Sequence, residues 1–336
     1  MICDPPRDPQ LEARLAALDK RARAWRQLAP TSEEMILAQR SFDEDFLVRM
    51  AYDSNAIEGS TLTLAETEVI YEGEFVPGKP GREQIAARGI FEGADFLEQA
   101  RQEGRALDAA LLRDLHERCA LDLQPRARGA YRSAPAIIRA SRATPADPYA
   151  IRPAMDDLFF HLARLEGETH PLAAIAWFHA AFENIHPFAD GNGRTGRLWM
   201  NAQLQSRGYP PVSIKAGHSL EYKTALEAWQ ADGEAQAFLD LLLASVEDEI
   251  ERRIAFLSLG RPSDADLAHG ITHGTEALAA IREEPPITAQ RLGVRIGISA
   301  RQAQRTIRAL REAGAIERRG PAKGGTWHIV VRDEQE

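Results

Sequence analysis

Residues 172–182, Leu-Ala-Ala-Ile-Ala-Trp-Phe-His-Ala-Ala-Phe, are apolar on nearly every side. A helix of that composition cannot present a wet face, so it must run through the middle of a domain and be wrapped by others. The sequence on either side supplies the wrapping. Leu11, Leu15 and Leu18 recur at helical spacing, and Trp25 extends their stripe. Leu111, Leu112 and Leu115 form a second stripe, and Met155, Leu158, Leu162 and Leu165 a third. Leu198, Leu204, Leu226 and residues 238–243 continue the pattern. From Leu11 to about Phe256 the chain therefore reads as mainly α. One segment breaks the pattern. Residues 131–139, with Ile137 and Ile138, lie between Gly129 and the Pro145/Pro148 region and read as a small β-hairpin.

Composition narrows the function classes. With 336 residues, 44% hydrophobic and 27% charged, the chain can bury more than one core. A formal net charge of -9 argues against coating nucleic acid or an anionic membrane with the whole surface. The two cysteines, Cys3 and Cys119, form no CxxC pair, which excludes a disulfide framework and a thiolate zinc site. No stretch is long and apolar enough to span a membrane. The proline-rich first ten residues lack the pattern of a signal peptide, so a reducing, cytoplasmic setting is expected.

The chemistry concentrates just after the apolar helix. Gly191, Asn192 and Gly193 precede Arg194-Thr195-Gly196-Arg197-Leu198, which opens another helix. Glycines let the backbone turn its N–H groups inward, and a helix N-terminus adds positive potential, so an anion cradle forms. Arg194 and Arg197 sit three apart on the first turn and can reach one polyphosphate. Asp190 lies at the edge, where a carboxylate can hold Mg2+. His186 precedes it by four residues, and an imidazole of ordinary pKa ~6.5 suits a general base. These are the parts needed for nucleotidyl or phosphoryl transfer.

The stretch resembles the signature of Fic-domain proteins, H-x-F-x-[D/E]-G-N-[G/K]-R-x-x-R. Every specified position is matched, by His186, Phe188, Asp190, Gly191, Asn192, Gly193, Arg194 and Arg197. The resemblance implies a helical Fic core and a protein adenylyltransferase. His186 would deprotonate a target hydroxyl, whose oxygen attacks the α-phosphate of ATP and leaves AMP on the target. Asp190 would hold Mg2+, Gly191 to Gly193 would cradle the phosphates, and Arg194 would bind the leaving phosphates. Arg197 would take the γ-phosphate, with Thr195 and Gly196 also counted in the nucleotide site. Phe188 would anchor the loop in the core. A competing reading is a zinc site, since His179, Glu183 and His186 share a helix face at i, i+4 and i+7.

A second segment, Ser54-Asn55-Ala56-Ile57-Glu58-Gly59, reads as a helix ending near Gly59, with Ser54 and Glu58 on one face. It resembles the family's inhibitory motif, [S/T]-x-x-x-E-[G/N], upstream of the catalytic core. By that resemblance Glu58 would pair with Arg197 and hold the protein autoinhibited. Whether it also supports removal of AMP is open. Gly129-Ala130-Tyr131-Arg132 with Ile137 and Ile138 resembles the family's flap, a hairpin that aligns the target by strand addition. Tyr222 resembles a position near the adenine. The resemblance covers about residues 46–243.

Residues 260–274 read as a linker. Beyond it, residues 288–332 hold ten Lys/Arg against two acids, in a chain that is negative as a whole. Two short helices, the second capped by Ser299, precede strands at 316–319 and 327–331, with a wing at 320–325. The arrangement resembles a winged helix-turn-helix domain, which implies DNA as a partner through Arg301, Arg305 and Arg308. The expected organisation is an N-terminal helical extension (1–45), a Fic domain with its inhibitory helix (46–256), a linker (257–274) and a winged helix (275–336). The leading function is autoinhibited AMP transfer from ATP to a Ser, Thr or Tyr hydroxyl, with self-modification included. The alternative is a DNA-binding regulator whose Fic core senses nucleotide. The target protein and any homo-oligomer stay open, and no membrane partner is expected.

Overall fold

Asp8 starts the first helix: its carboxylate accepts from the backbone of Gln10 and Leu11, and Pro9 occupies the first turn, where its missing N–H costs nothing. The resulting α1 (Pro9–Gln27) buries Leu11, Leu15, Leu18 and Ala22. The computed structural model describes residues 2–28, 30, 32–138, 141–259, 267–320 and 325–330. Two compact units emerge, Met1–Phe256 and Leu257–Glu336.

In the first unit α2 (Glu33–Ile57) starts on the Ser32 cap, and α3 (Leu64–Tyr71) on a Thr63/Glu66 capping box. They are followed by α4 (Gly81–Gln102), α5 (Ala109–Cys119), α6 (Ile151–Glu168) and α7 (Pro171–Ile185). Next come α8 (Asn192–Ser206), α9 (Ser219–Glu227) and α10 (Gln236–Leu257). The apolar segment is α7, flanked by α6 and α8, and Trp177, Phe178 and Phe182 are at most 1% exposed. No described helix is long and apolar enough to cross a membrane.

Two expectations change. The boundary expected at 45/46 falls inside α2, and α1 contributes Leu11, Leu15 and Leu18 to the same core as α7, so the N-terminal residues are part of the first unit. The expected hairpin at 131–139 forms no strand among its described residues. Tyr131 makes a lone antiparallel bridge to Phe188, and Arg132 N–H donates to Pro187 O at 2.9 Å. Arg132 spends its side chain on loop carbonyls there, so no second strand is needed to hold the segment.

The second unit packs α11 (Gly274–Glu283), α12 (Ala289–Ile296) and α13 (Ala300–Glu312) with β1 (Ile316–Arg319) and β2 (Thr326–Ile329). The strands are antiparallel, with Ile316 opposite Ile329. Leu278, Ile281, Leu292, Ala303, Leu310 and Ile316 make a separate core. The helix-turn-helix is tight because Gly297 takes φ 72° and a Cβ on Gly293 would stand 2.8 Å from Ile298 O. Residues 260–266 of the expected linker, 321–324 of the expected wing, Arg139, Val331 and Arg332 lie outside the described residues.

Candidate active site

Helix α7 ends where the chain turns left-handed. His186 has φ 51° and ψ 60°, rare for a residue with a side chain, and Pro187 then prevents continuation. That conformation is held from outside. Arg132 Nε donates to His186 O at 2.8 Å, Nη1 to Ala134 O at 2.9 Å and Nη2 to Ala146 O at 2.5 Å. A cation on the terminal carbonyls also opposes the helix dipole. His186 Nδ1 lies 3.4 Å from Glu183 O. A carbonyl only accepts, so the proton belongs on Nδ1 and Nε2 is left as a bare acceptor. Burial lowers the His186 pKa below its ordinary value, which keeps the ring neutral at neutral pH.

The loop after His186 closes on itself. Asn192 Oδ1 accepts from Phe188 N and its Nδ2 donates to Phe188 O, both at 2.9 Å. Phe188 is fully buried and stacks on His116, ring centroids 3.7 Å apart. His116 accepts from Gly129 N at Nδ1 (2.8 Å), so its Nε2 carries the proton offered to Asp190 O at 3.0 Å. Burial pushes His116 down to about 4 and keeps it neutral. Gly191, at φ 78°, is the N-cap of α8.

Above the α8 N-terminus sits the other motif. Glu58 is the C-cap residue of α2. Its Oε1 accepts from Arg197 Nη2 at 2.8 Å, while Arg197 Nε donates to Ser54 Oγ (2.8 Å) and Nη2 to Ser54 O (2.9 Å). Arg197 is buried and its guanidinium lies 5.9 Å from the centre of the Tyr222 ring. A Cβ on Gly193 would come within 2.2 Å of Glu58 Oε1, so the carboxylate rests against the glycine backbone of the cradle. Desolvation would raise the Glu58 pKa, but the Arg197 charge and hydrogen bond, helped by Lys223 and Arg194, lower it. Lys223 Nζ also donates to Ile57 O at 2.7 Å, pinning the end of α2.

The structure brings His186, Asp190, Gly191, Gly193, Arg194, Arg197, Ser54 and Glu58 together, and turns four other residues of the expected nucleotide site inward. Asn192 is 1% exposed and clamps the loop. Thr195 is fully buried, its hydroxyl donating to Gly191 O at 2.8 Å. Gly196 faces inward, since a Cβ there would meet Glu183 Oε1 at 2.4 Å. Tyr222 is 3% exposed beneath Arg197, with its hydroxyl 2.7 Å from His179 Nε2. The zinc reading fails on the same contact. His179 Nδ1 is 3.2 Å from Gly196 O, so both ring nitrogens are taken, and among the described residues no cluster of His, Cys, Asp or Glu could hold a metal.

Several site residues carry no signal in the sequence. Asp122, with 3% of its side chain exposed, takes Arg194 at 2.7 and 3.2 Å and Arg82 at 3.2 Å. Arg82 Nη2 also reaches Asp190 Oδ2 at 2.5 Å. Asp190 Oδ1 accepts from Gly191 N at 2.6 Å. A single half-exposed carboxylate at the lip of an anion cradle fits Mg2+, which takes one or two carboxylates and fills its shell with phosphate oxygens and water.

Residues 106–204 match the Fic/DOC family. The protein adenylyltransferase Fic of Nematostella vectensis is 33% identical over 208 residues, which cover 61% of this chain and 48% of that protein. Protein adenylyltransferase fic-1 of Caenorhabditis elegans is 30% identical over 207 residues, covering 60% and 40%. The chain thus spans half or less of these two curated relatives. Among solved structures, a Fic family protein from Desulfovibrio desulfuricans G20 overlays with a TM-score of 0.62 at 24% identity, covering 99% of this chain and all of that one. Fic-1 from C. elegans overlays with a TM-score of 0.64 at 24% identity, covering 73% and 72%. The segment that matches the Fic/DOC family contains the loop from His186 to Arg197, and the likeness to the two solved Fic structures is a likeness of fold.

Proposed function

We propose that the first unit transfers AMP from ATP to a hydroxyl of a target protein. The observation that carries this reading is His186: a neutral imidazole with Nε2 unspent, beside a glycine-lined helix N-terminus. A chain that only sensed nucleotide would need the cradle and the arginines but no base. In the proposed reaction Nε2 takes the proton of the target hydroxyl as its oxygen attacks the α-phosphorus. The bond from that phosphorus to the bridging oxygen breaks and pyrophosphate leaves. Asp190 is the residue that would hold Mg2+, which neutralises phosphate charge when bound. Gly191 and Gly193 bring the backbone close, and Arg197 takes the γ-phosphate once Glu58 gives it up. Label should pass to protein from ATP labelled at the α-phosphate and not at the γ-phosphate, in a chain carrying Glu58→Gly. Transfer of the γ-label would replace this reading with a kinase.

We infer separately that the second unit binds duplex DNA. Arg301, Arg305 and Arg308 recur at i, i+4 and i+7 on α13, are exposed, and make no ion pair among the described residues. By contrast Arg291 pairs with Glu284 and Arg295 with Glu283. The first turn of α13 holds no acid, so Arg301 works against the helix dipole unless an external anion compensates. Glu312 closes the far end of the same face. The reading predicts binding of the full chain to duplex DNA at low salt. Replacing the three arginines with Gln should reduce the slope of log K against log salt by about 2–3. Fluorescence anisotropy decides: an unchanged slope, or no binding at low salt, rules out this face.

A further inference from the structure

Arg82 stands at the second position of α4 and reaches two carboxylates at once. Its Nε is 3.2 Å from Asp122 Oδ2, and its Nη2 is 2.5 Å from Asp190 Oδ2. The two contacts differ in kind. Asp122 is buried and anchored by Arg194, whereas Arg82 and Asp190 keep 65% and 48% of their side chains exposed. The guanidinium is therefore anchored beside a buried acid, while its closer partner, Asp190, is one that water and ions can reach. Asp190 Oδ1 is already fixed by Gly191 N, so Oδ2 is the oxygen with a partner that can be exchanged. A divalent cation on Oδ2 would lie within a few ångströms of the guanidinium, and like charges at that range repel.

We propose that Arg82 is the exchangeable counter-ion of Asp190, holding that carboxylate before nucleotide binds and yielding it to the divalent cation that arrives with the phosphates. The inference rests on the AMP-transfer reading, in which Asp190 carries the cation. Arg82 is a positioning residue: it sets how much cation is needed before nucleotide seats. Its neighbour adds weight. Glu83 Oε2 accepts from Thr61 N at 2.7 Å and from Ser60 Oγ and Thr61 Oγ1 at 3.0 Å, just beyond Glu58. The partner of the metal-site acid and the tie on the inhibitory segment are thus consecutive residues on one helical turn.

The test is binding of a fluorescent non-hydrolysable ATP analogue to the full chain carrying Glu58→Gly, with and without Arg82→Gln, across a Mg2+ titration. Arg82→Gln should lower the Mg2+ needed for half-maximal binding about two- to fivefold, the size expected for removing an exposed competing ion pair. Nucleotide affinity at saturating Mg2+ should change less than about twofold. An unchanged or higher Mg2+ requirement overturns the inference. So does a tenfold loss of affinity at saturating Mg2+, which would mean that Arg82 grips phosphate instead. No nucleotide binding by either protein defeats the transfer reading along with the inference, and so differs from a failure of the inference alone.

Discussion

Replacing Glu58 with Gly is expected to raise AMP transfer on the order of a hundredfold, the scale at which a misplacement of about 1 Å acts on a reacting phosphate. In the proposed reaction the carboxylate of Glu58 occupies two things that the γ-phosphate would need. It takes the Nη2 donor of Arg197, and it rests against the Gly193 backbone, where a phosphate oxygen would come. Glu58→Gln keeps the bulk and loses the charge, so its gain should be smaller. Adding His186→Ala to Glu58→Gly should cut the rate by about 10²- to 10⁴-fold, the contribution of a positioned general base. The pH response follows from Arg197. Because the lowered Glu58 pKa keeps its carboxylate charged above the usual carboxylate range, the ion pair persists through neutral and mildly acid conditions and is lost only as pH falls below that range. The ratio of Glu58→Gly to unaltered activity should accordingly stay flat between about pH 5 and 8. Measured incorporation of α-label gives both numbers, and an unaltered rate in Glu58→Gly would remove the brake from the mechanism.

Much of this arrangement is legible in the sequence because it is local. The apolar run of α7 dictates its burial, and the glycines, acid and arginines around residue 191 sit within one turn of each other. Ser54 and Glu58 are readable for the same reason, as one helix face. Contacts made across long sequence separations are not. Asp122 lies 72 residues from Arg194, and Arg82 lies 108 from Asp190. Neither belongs to a periodic pattern, and an isolated charge in sequence looks like any solvated one. The inward placement of Asn192, Thr195 and Gly196 is hard to read for another reason. A helix N-terminus offers only some of its surface to a ligand, and the 3.6-residue turn sends side chains three and four apart toward the core. The side of Tyr222 is not legible either, because an aromatic ring beside an arginine can lie on either side of it, and here it lies beneath.

Asp122 carries the largest expected effect on stability. It is buried at 3% side-chain exposure, and Arg194 opposite it is buried at 4%. The Asp122 pKa is governed first by burial, which raises it, and then by the Arg194 hydrogen bond and charge, which reverse the sign and leave it below the ordinary carboxylate value. Asp122→Ala leaves Arg194 charged, desolvated and without that partner, since its remaining donors have no other carboxylate among the described contacts. Breaking one side of such a pair costs on the order of 3–5 kcal/mol. In a unit of this size that corresponds to a fall in melting temperature of roughly 6–20 °C. The double replacement Asp122→Ala with Arg194→Met should recover most of the loss, because it removes the stranded charge as well as its partner. Calorimetry of the three variants distinguishes the cases. A single-variant loss under about 1 kcal/mol would place the pair among ordinary surface ion pairs, and Arg194 would then be free to turn both prongs of its guanidinium toward phosphate.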